Sequence, residues 1–437
     1  MIDQLKDYLH FPIAWYFRFF AQIRLRRWNP RIVVVTGSNG KTTLLHMVES
    51  QMGEKAKYSH YANTAFGIPF DILELHRKSL ASSEWIMFFL KAPLQVFAKL
   101  PKETIYVVEA DCDRPGEGKF LASLLRPEVV LWVSVSRTHG MNYDYVVTSP
   151  PGGWQVGSHP PGVNSFQSVE EAIAYEYGYF LEACPKLAVI DGDTKLQTNQ
   201  THRSRGKVVA VKKAQALTSY TISKDNTSYE INKQRSTFDA LLPEELFYSI
   251  AMCREAVEYF SLPFDPQFKK FILPPGRGTL LKGIKQTTLV DSTYNANLES
   301  IRVMLHMFSK MPGKKKWVVL GDMLELGKKE QEEHERLAEV LAKMDLERII
   351  LVGKRMKEFT APKLVSLQKD VITVASAKEA LDDIQKNLQG GEEILFKGSQ
   401  SIYLEGVIEK LLTNKSDSVT LPRQSAFWKA KRKSLGL

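Results

Sequence analysis

Residues Arg31–His46 read RIVVVTGSNGKTTLLH, and the reading of this stretch decides the fold. Ile32–Val35 are four consecutive apolar residues, the pattern of a short buried strand. Thr36–Thr43 form a glycine-containing turn, and Leu44–Met52 look helical. Strand, turn and helix start, in that order, make an anion site. The first N–H groups of a helix have no partner within it, and its dipole favours negative charge there. Lys41 would reach the outer phosphates of a nucleotide and the Thr42 hydroxyl would hold Mg²⁺. The strict phosphate-loop pattern asks for a glycine five residues before Gly40, where this chain has Val35. The plain alternative is a βα turn with a stray lysine. G-S-N-G-K-T-T directly after a β-branched strand favours nucleotide binding.

The chain has 437 residues, enough for two or three domains with sizeable cores. A net charge of +10 suits an anionic partner: nucleotide, anionic lipid or nucleic acid. No nucleic-acid module is recognisable, so nucleic acid is not expected as a partner. Three widely spaced cysteines, Cys112, Cys184 and Cys253, form no C-x-x-C pair. Zinc ribbons and disulfide frameworks are therefore unexpected, and a reducing, cytoplasmic compartment fits. No stretch offers the ~18 apolar residues of a spanning helix. A cleavable signal peptide is also unexpected, because Arg18 interrupts the N-terminal apolar run.

Residues 1–30 combine Phe11, Trp15, Tyr16, Phe17, Phe19 and Phe20 with Arg18, Arg24, Arg26 and Arg27. One reading is an interfacial helix on the inner face of an anionic membrane, arginines toward head groups, contacting it through residues 1–28. The other is a helix packed on the protein body with arginines at its rim. Ser83–Leu100 reads as a buried or amphipathic helix broken near Pro93, with a second membrane-facing surface as the lesser alternative. Thr104–Ala110 is a buried strand whose Glu109 lies where a Mg²⁺ ligand would sit. Glu128–Val135 is another, leading to His139. Tyr145–Ser165 is Pro- and Gly-rich and reads as a long loop or lid. Helices at Ser168–Glu182 and Leu241–Tyr259 bracket short β-like runs. From Thr287 onward, short strands alternate with helices, which implies a mostly parallel sheet. The basic tail, with Arg423, Lys429, Lys431, Arg432 and Lys433, reads as solvated or loosely docked.

These motifs together resemble the Mur ligase family, ATP-dependent ligases that join amino acids to the peptidoglycan stem. The residues are TGSNGKTT (36–43), NTAFGIP (63–69), Glu109, RPEVVLWVSVSRTHG (126–140), PGR (275–277), STYNANLES (292–300), VVLGDMLELG (318–327) with His334, and FKGSQS (396–401). The resemblance implies an α/β fold: a central phosphate-loop domain over 31–276 and a C-terminal Rossmann-like domain over 277–437, with residues 1–30 as a separate helix. It implies a cytoplasmic, monomeric enzyme with ATP and Mg²⁺ as cofactors. A carboxylate would attack the ATP γ-phosphate, and an amine would then attack the acyl phosphate. Addition of D-alanyl-D-alanine to a peptidoglycan precursor is the first expectation. The alternatives are a non-UDP acceptor, such as a lipid-linked precursor, a poly-amino acid or polyglutamate, or a non-catalytic nucleotide-binding scaffold.

Carried over by motif, Gly37, Ser38, Asn39, Gly40, Lys41, Thr42 and Thr43 would bind nucleotide, together with Arg277, Asp291 and Asn295. Lys41, Glu109, His139 and Arg277 would be catalytic. Thr42 and Glu109 would hold one Mg²⁺ and His139 a second. Asn63, Asp322, Lys397 and Ser399 would bind substrates. For Ser399 and His334 an ordinary structural role is a serious competitor. Three departures stand out. The family's carbamylated lysine aligns with Tyr177, beside Glu176, so that either Glu176 supplies the missing carboxylate or the second metal site is weakened. The second acid of the family's D-D-S/T-Y-N-A-N is Ser292, leaving Asp291 as the substitute ribose contact. The family's N-terminal UDP-binding domain has no counterpart in the first 30 residues, which suggests an acceptor not held by UDP.

Overall fold

A computed structural model describes residues 2–60, 62–76, 83–148 and 166–437. The loop read over Tyr145–Ser165 falls mostly outside these residues; Asp144–Thr148 is a short helix. Chain order begins with α1 (Ile2–Trp28), β1 (Arg31–Thr36), α2 (Lys41–Met52), β2 (Ala56–Tyr58), α3 (Gly67–Ile72), α4 (Ser83–Gln95), β3 (Ile105–Ala110), α5 (Glu117–Leu125) and β4 (Val129–Trp132). After them come α6 (Val169–Ala183), β5 (Leu187–Asp191), β6 (Lys207–Val211), the antiparallel trio β7 (Leu217–Ile222), β8 (Thr227–Ile231) and β9 (Gln234–Phe238), and α7 (Leu246–Tyr259).

The first sheet runs β2-β3-β1-β4-β5-β6, all parallel. Alternation along β1 sends Ile32 and Val34 into the core under α1, α5 and α6, and Val33 and Val35 into the core under α2 and α7. Val35 is thus a buried strand residue, and a glycine there would remove core contacts. In register, Thr36 lies beside Ala110 of β3 and Trp132 of β4. The loops leaving these three strands therefore emerge together at one edge, on either side of β1, where the winding reverses. Open α/β sheets place ligands in that crevice.

The second sheet is built from β10 (Thr279–Lys282), β11 (Thr288–Asp291), β12 (Lys316–Gly321), β13 (Arg348–Val352), β14 (Ile372–Val374) and β15 (Glu393–Lys397). Its order is β10-β11-β15-β12-β13-β14, and only β10 is antiparallel. One face packs on α8 (Leu298–Ser309) and α9 (Glu330–Ala342), the other on α10 (Ala377–Asn387) and α11 (Leu404–Leu411). Asn297 caps α8 in a reciprocal box with Ser300, which sets the position of the preceding Tyr294–Ala296 loop.

The N-terminal helix is packed, not free. Ala14, Phe17, Ala21 and Leu25 are buried in the first core. Two of the arginines read as facing head groups point inward instead: Arg18 donates to the Phe120 carbonyl, and Arg24 to the carbonyls of Gln95 and Lys99. Arg27 donates to the Val96 carbonyl, so α1 caps the end of α4 with cations, where the helix dipole favours them. Helix α4 also runs through Pro93 rather than breaking there. A proline lacks the N–H that would bond the Phe89 carbonyl four residues earlier. The Tyr16 hydroxyl donates to that carbonyl at 2.8 Å and satisfies it from α1.

The C-terminal tail is docked as well, against the sequence expectation. Helix α12 (Ala426–Ser434) buries Arg432 against Glu405 and Glu409. Arg423 forks onto the fully buried Glu405 and donates to the Thr293 carbonyl at 2.7 Å. The fork, not the count of basic residues, anchors the tail.

Replacing Tyr16 by Phe should lower stability by about 1 kcal/mol, the cost of one unpaired buried carbonyl. A urea unfolding midpoint equal to that of the wild type would contradict the Tyr16–Phe89 assignment.

Candidate active site

The turn after β1 is shaped by two glycines. Gly37 has φ 125°, and a Cβ there would lie 2.7 Å from the Ser134 carbonyl oxygen. Gly40 has φ 86° and opens α2 in the left-handed region. The loop is braced from the β4 side: the Asn39 N–H donates to Ser134 Oγ at 2.8 Å, and Ser38 Oγ donates to the Ser136 carbonyl at 2.9 Å. Ser38–Thr43 then line a cavity of about 840 Å³ between the two sheets, while Gly37 stands behind its wall.

Lys41 is buried, with Nζ 2.6 Å from Asp111 Oδ2 and 2.6 Å from the Gly37 carbonyl oxygen. Burial disfavours its charge, but Asp111 and Glu109 outweigh that and hold its pKa above the usual lysine value. Thr42 Oγ1 donates to Glu109 Oε2 at 2.9 Å. Arg277 Nη2, arriving from the second sheet's side, donates to the same hydroxyl at 2.9 Å and lies over the Tyr294 ring. One threonine hydroxyl thus joins the two halves.

His139 has φ 51° and sits between two carboxylates. Its Nδ1 is 2.8 Å from Glu325 and its Nε2 is 3.3 Å from Asp113. Burial alone would lower its pKa; Glu325 and then Asp113 and Asp111 raise it to about 9. Burial and the neighbouring Asp111 push Asp113 up to about 6. Asp111 is held low by Lys41 and His139 against burial, and its Oδ1 accepts from the Tyr177 hydroxyl at 2.8 Å. Ligand atoms of Asp111, Asp113 and His139 all lie within 4.8 Å of one another. Hydroxyl, carboxylate and imidazole donors crowded until one carboxylate resists ionising are a set that a hard divalent cation fits.

From the other side, Ser292, Asn295, Lys397 and Ser399 line the same cavity, as does Asn63 at the β2–α3 connection. Lys397 is buried and donates to the Asn295 carbonyl at 2.9 Å. Burial, then the nearby Arg277, lower its pKa to about 7. Asn297 Nδ2 donates to Asn39 Oδ1 at 3.0 Å, a second bond across the cleft. Ser399 Oγ also accepts the Leu324 N–H at 3.0 Å, so it lines the cavity and braces a loop at once.

Three sequence expectations are corrected, and the choice left open at His334 falls to the structural role. Asp291 does not reach the cavity: it is fully buried, and its Oδ1 accepts from the backbone and hydroxyl of Thr293, while Ser292 faces the cavity. Asp322 is buried behind the wall, where Oδ1 accepts the Met356 N–H. Glu176 supplies no carboxylate to the site. It caps α5 by accepting from the N–H groups of Gly116 and Gly118 at 2.9 and 2.8 Å. His334 is structural: its Nε2 accepts the Met323 N–H, fixing the loop that carries Glu325. The residues missed are Asp111, Asp113 and Glu325. The signal for the first two was present, since Glu109, Asp111 and Asp113 alternate through EADCD at a strand's carboxyl end.

Comparison with known sequences agrees with this geometry. Residues 35–145 match the Mur ligase middle domain, and residues 276–400 match the Mur ligase, glutamate ligase domain. The chain belongs to the Mur ligase family. Mur ligases are ATP-dependent, ADP-forming ligases. The chain is 23% identical over 402 residues to the UDP-N-acetylmuramoyl-tripeptide–D-alanyl-D-alanine ligase of Bacillus subtilis, covering 90% of this chain and 78% of that protein. It is 24% identical to the enzyme of that name from Escherichia coli, covering 88% and 77%. Among solved structures, the MurF ligase of Thermotoga maritima in complex with ADP shares the fold, with a TM-score of 0.70 at 20% identity over 91% of this chain and 82% of that one.

In metal-free protein, His139 should titrate near pH 9 by NMR. Because its folded pKa is raised, the stability it contributes is present below its unfolded pKa of about 6.5 and lost as pH rises through 9. Glu325→Gln should move the midpoint down; an unmoved midpoint would show that Glu325 does not set it.

Proposed function

We propose that this Mur ligase adds D-alanyl-D-alanine to the terminal carboxylate of a peptidoglycan-precursor peptide, consuming ATP. The observation that carries the reading is the pair of hydrogen bonds at Thr42 Oγ1, which donates to Glu109 and accepts from Arg277. It assembles lysine, hydroxyl, carboxylate and guanidinium at one point of a cleft built from both sheets. The names of the relatives support the choice of substrates.

In this reading an acceptor carboxylate oxygen attacks the γ-phosphorus and ADP departs. The incoming amine then attacks the acyl carbon, and phosphate leaves. The chemical difficulty is negative charge gathering on phosphate oxygens. Preorganised cations and helix-start N–H groups oppose it without reorganising. Lys41 and the Gly40–Thr43 amides cradle the outer phosphates, and Arg277 closes on them from the second sheet. Thr42 and Glu109 would hold one Mg²⁺, and His139 with Asp111 and Asp113 a second; bound there, the ions neutralise phosphate charge. Glu325 orients the imidazole through Nδ1 and leaves Nε2 toward Asp113, the carboxylate support typical of imidazole ligands. Lys397, with its pKa near 7, and Ser399 stand where the amine would arrive. Asn295 faces the nucleotide and Asn63 the acceptor.

The test is ADP release with ATP, Mg²⁺, D-alanyl-D-alanine and a panel of acceptors carrying the tripeptide on UDP-muramic acid or on a lipid. Release should require both acceptor and amine, and Lys41→Ala should cut it by about 10³-fold or more. Release that persists in Lys41→Ala, or that ignores the amine, would overturn the reading.

A further inference from the structure

The outer side of α1 and α4 is apolar where solvent-facing helices are normally polar. On α4, Ile86, Leu90, Leu94 and Phe97 are 67%, 69%, 70% and 80% exposed, and their i, i+4, i+8, i+11 spacing puts them in one stripe along the helix and its C-terminal turn. Helix α1 lies alongside, since the Tyr16 and Phe17 rings meet Phe89 at 4.9 and 5.0 Å. It adds exposed Trp15 and Phe19. Single exposed apolar residues are ordinary, whereas six large ones on two helices packed side by side mark an interaction surface.

The two helical stretches that carry this face hold charge of one sign, and an acid paired with them from outside is Glu74, 3.0 Å from the buried Arg24. Arg26, Arg27, Lys91 and Lys99 are exposed along the two helices and the turn after α4. Residues 8–30 and 85–102 contain no Asp or Glu at all. A second copy of the chain would oppose these cations to one another with no acid on either stretch to pair them, which disfavours self-association through this face. Anionic lipid offers both things the face lacks, an apolar phase and negative charge.

We propose that this face is a membrane-docking surface, on which the α1–α4 pair lies in the head-group region of an anionic bilayer. Trp15, Phe19, Leu90, Leu94 and Phe97 enter the acyl boundary while Arg26, Arg27, Lys91 and Lys99 meet lipid phosphates. The pair docks as a unit. Arg24 and Arg27 of α1 hold the end of α4, and Arg18 and Arg24 are spent on backbone carbonyls inside. No described helix is long and apolar enough to cross a membrane, so the contact is with one leaflet. The proposal is independent of the ligase reading.

Vesicle flotation of the full chain tests it. The wild type should float with vesicles of equal phosphatidylglycerol and phosphatidylcholine, and much less with phosphatidylcholine alone or at high salt. The triple variant Leu90→Glu, Leu94→Glu, Phe97→Glu should float at least tenfold less. Its melting temperature and its ADP release with a soluble acceptor should be unchanged, because the three side chains are exposed and far from the cavity. Arg26→Glu with Lys91→Glu should weaken flotation without removing apolar area. The proposal fails if the triple variant floats like the wild type, or if vesicle composition makes no difference. It also fails if the wild type ignores vesicles, whether it runs as a monomer, as a dimer that the triple variant abolishes, or in complex with another protein.

Discussion

Lys41 and Asp111 are buried 2.6 Å apart, and the rest of the site depends on that ion pair. Two charges removed from water are costly unless every remaining donor and acceptor is used. Here the Gly37 and Ser38 carbonyls take the lysine's other protons, while the Tyr177 hydroxyl and the Cys112 N–H serve the aspartate. The phosphate loop, the loop after β3 and the α6 helix are thereby tied to one point. In the proposed reaction, phosphate takes the place of Asp111 at Lys41, and the released carboxylate is left facing Asp113 and His139. A cation held by Asp111, Asp113 and His139 would restore the balance. The pair keeps both charges satisfied until nucleotide arrives.

Topology makes this convergence possible. Loops from β1, β3 and β4 leave the same sheet edge because those strands are parallel and in register, and residues far apart in sequence meet without any long-range insertion. The second half reaches across the cleft through several polar bonds, among them Arg277 to Thr42, Asn297 to Asn39, Glu325 to His139 and the Leu326 carbonyl to Arg137. Polar contacts of this kind open and close more cheaply than packed apolar surface. The Arg423 fork onto Glu405 and the Thr293 carbonyl stiffens the Tyr294–Ala296 loop from behind, which gives the basic tail a structural purpose.

Much of this was legible in the chain itself, and the reasons differ by element. The Ile32–Val35 run and the glycines of the following turn encode a local geometry, so the strand, the loop and Lys41 could be read directly. The parallel second sheet followed from alternating short strands and helices. What could not be read was set by tertiary contacts. Pro93 signals a helix break, but Tyr16, 77 residues away, repairs the missing bond. Arg18 and Arg24 look like surface charges until the carbonyls they cap are seen. Glu176 and Tyr177 are adjacent in sequence yet diverge in role, because helix α6 turns one toward α5 and the other toward Asp111. Asp291 and Ser292 are a similar pair: the last residue of β11 is buried, and the one just past the strand end reaches the cavity. In each case the side chain's identity was clear, and the direction it faced was not.

The central claim is that Asp111 and Asp113 complete a second cation position beside the one at Thr42 and Glu109. Manganese titration followed by electron paramagnetic resonance, with a non-hydrolysable ATP analogue bound, measures this most directly. The account predicts two Mn²⁺ per chain in the wild type, and one in Asp111→Asn combined with Asp113→Asn, with the analogue still bound. A single Mn²⁺ in the wild type, or two in the double variant, would contradict it.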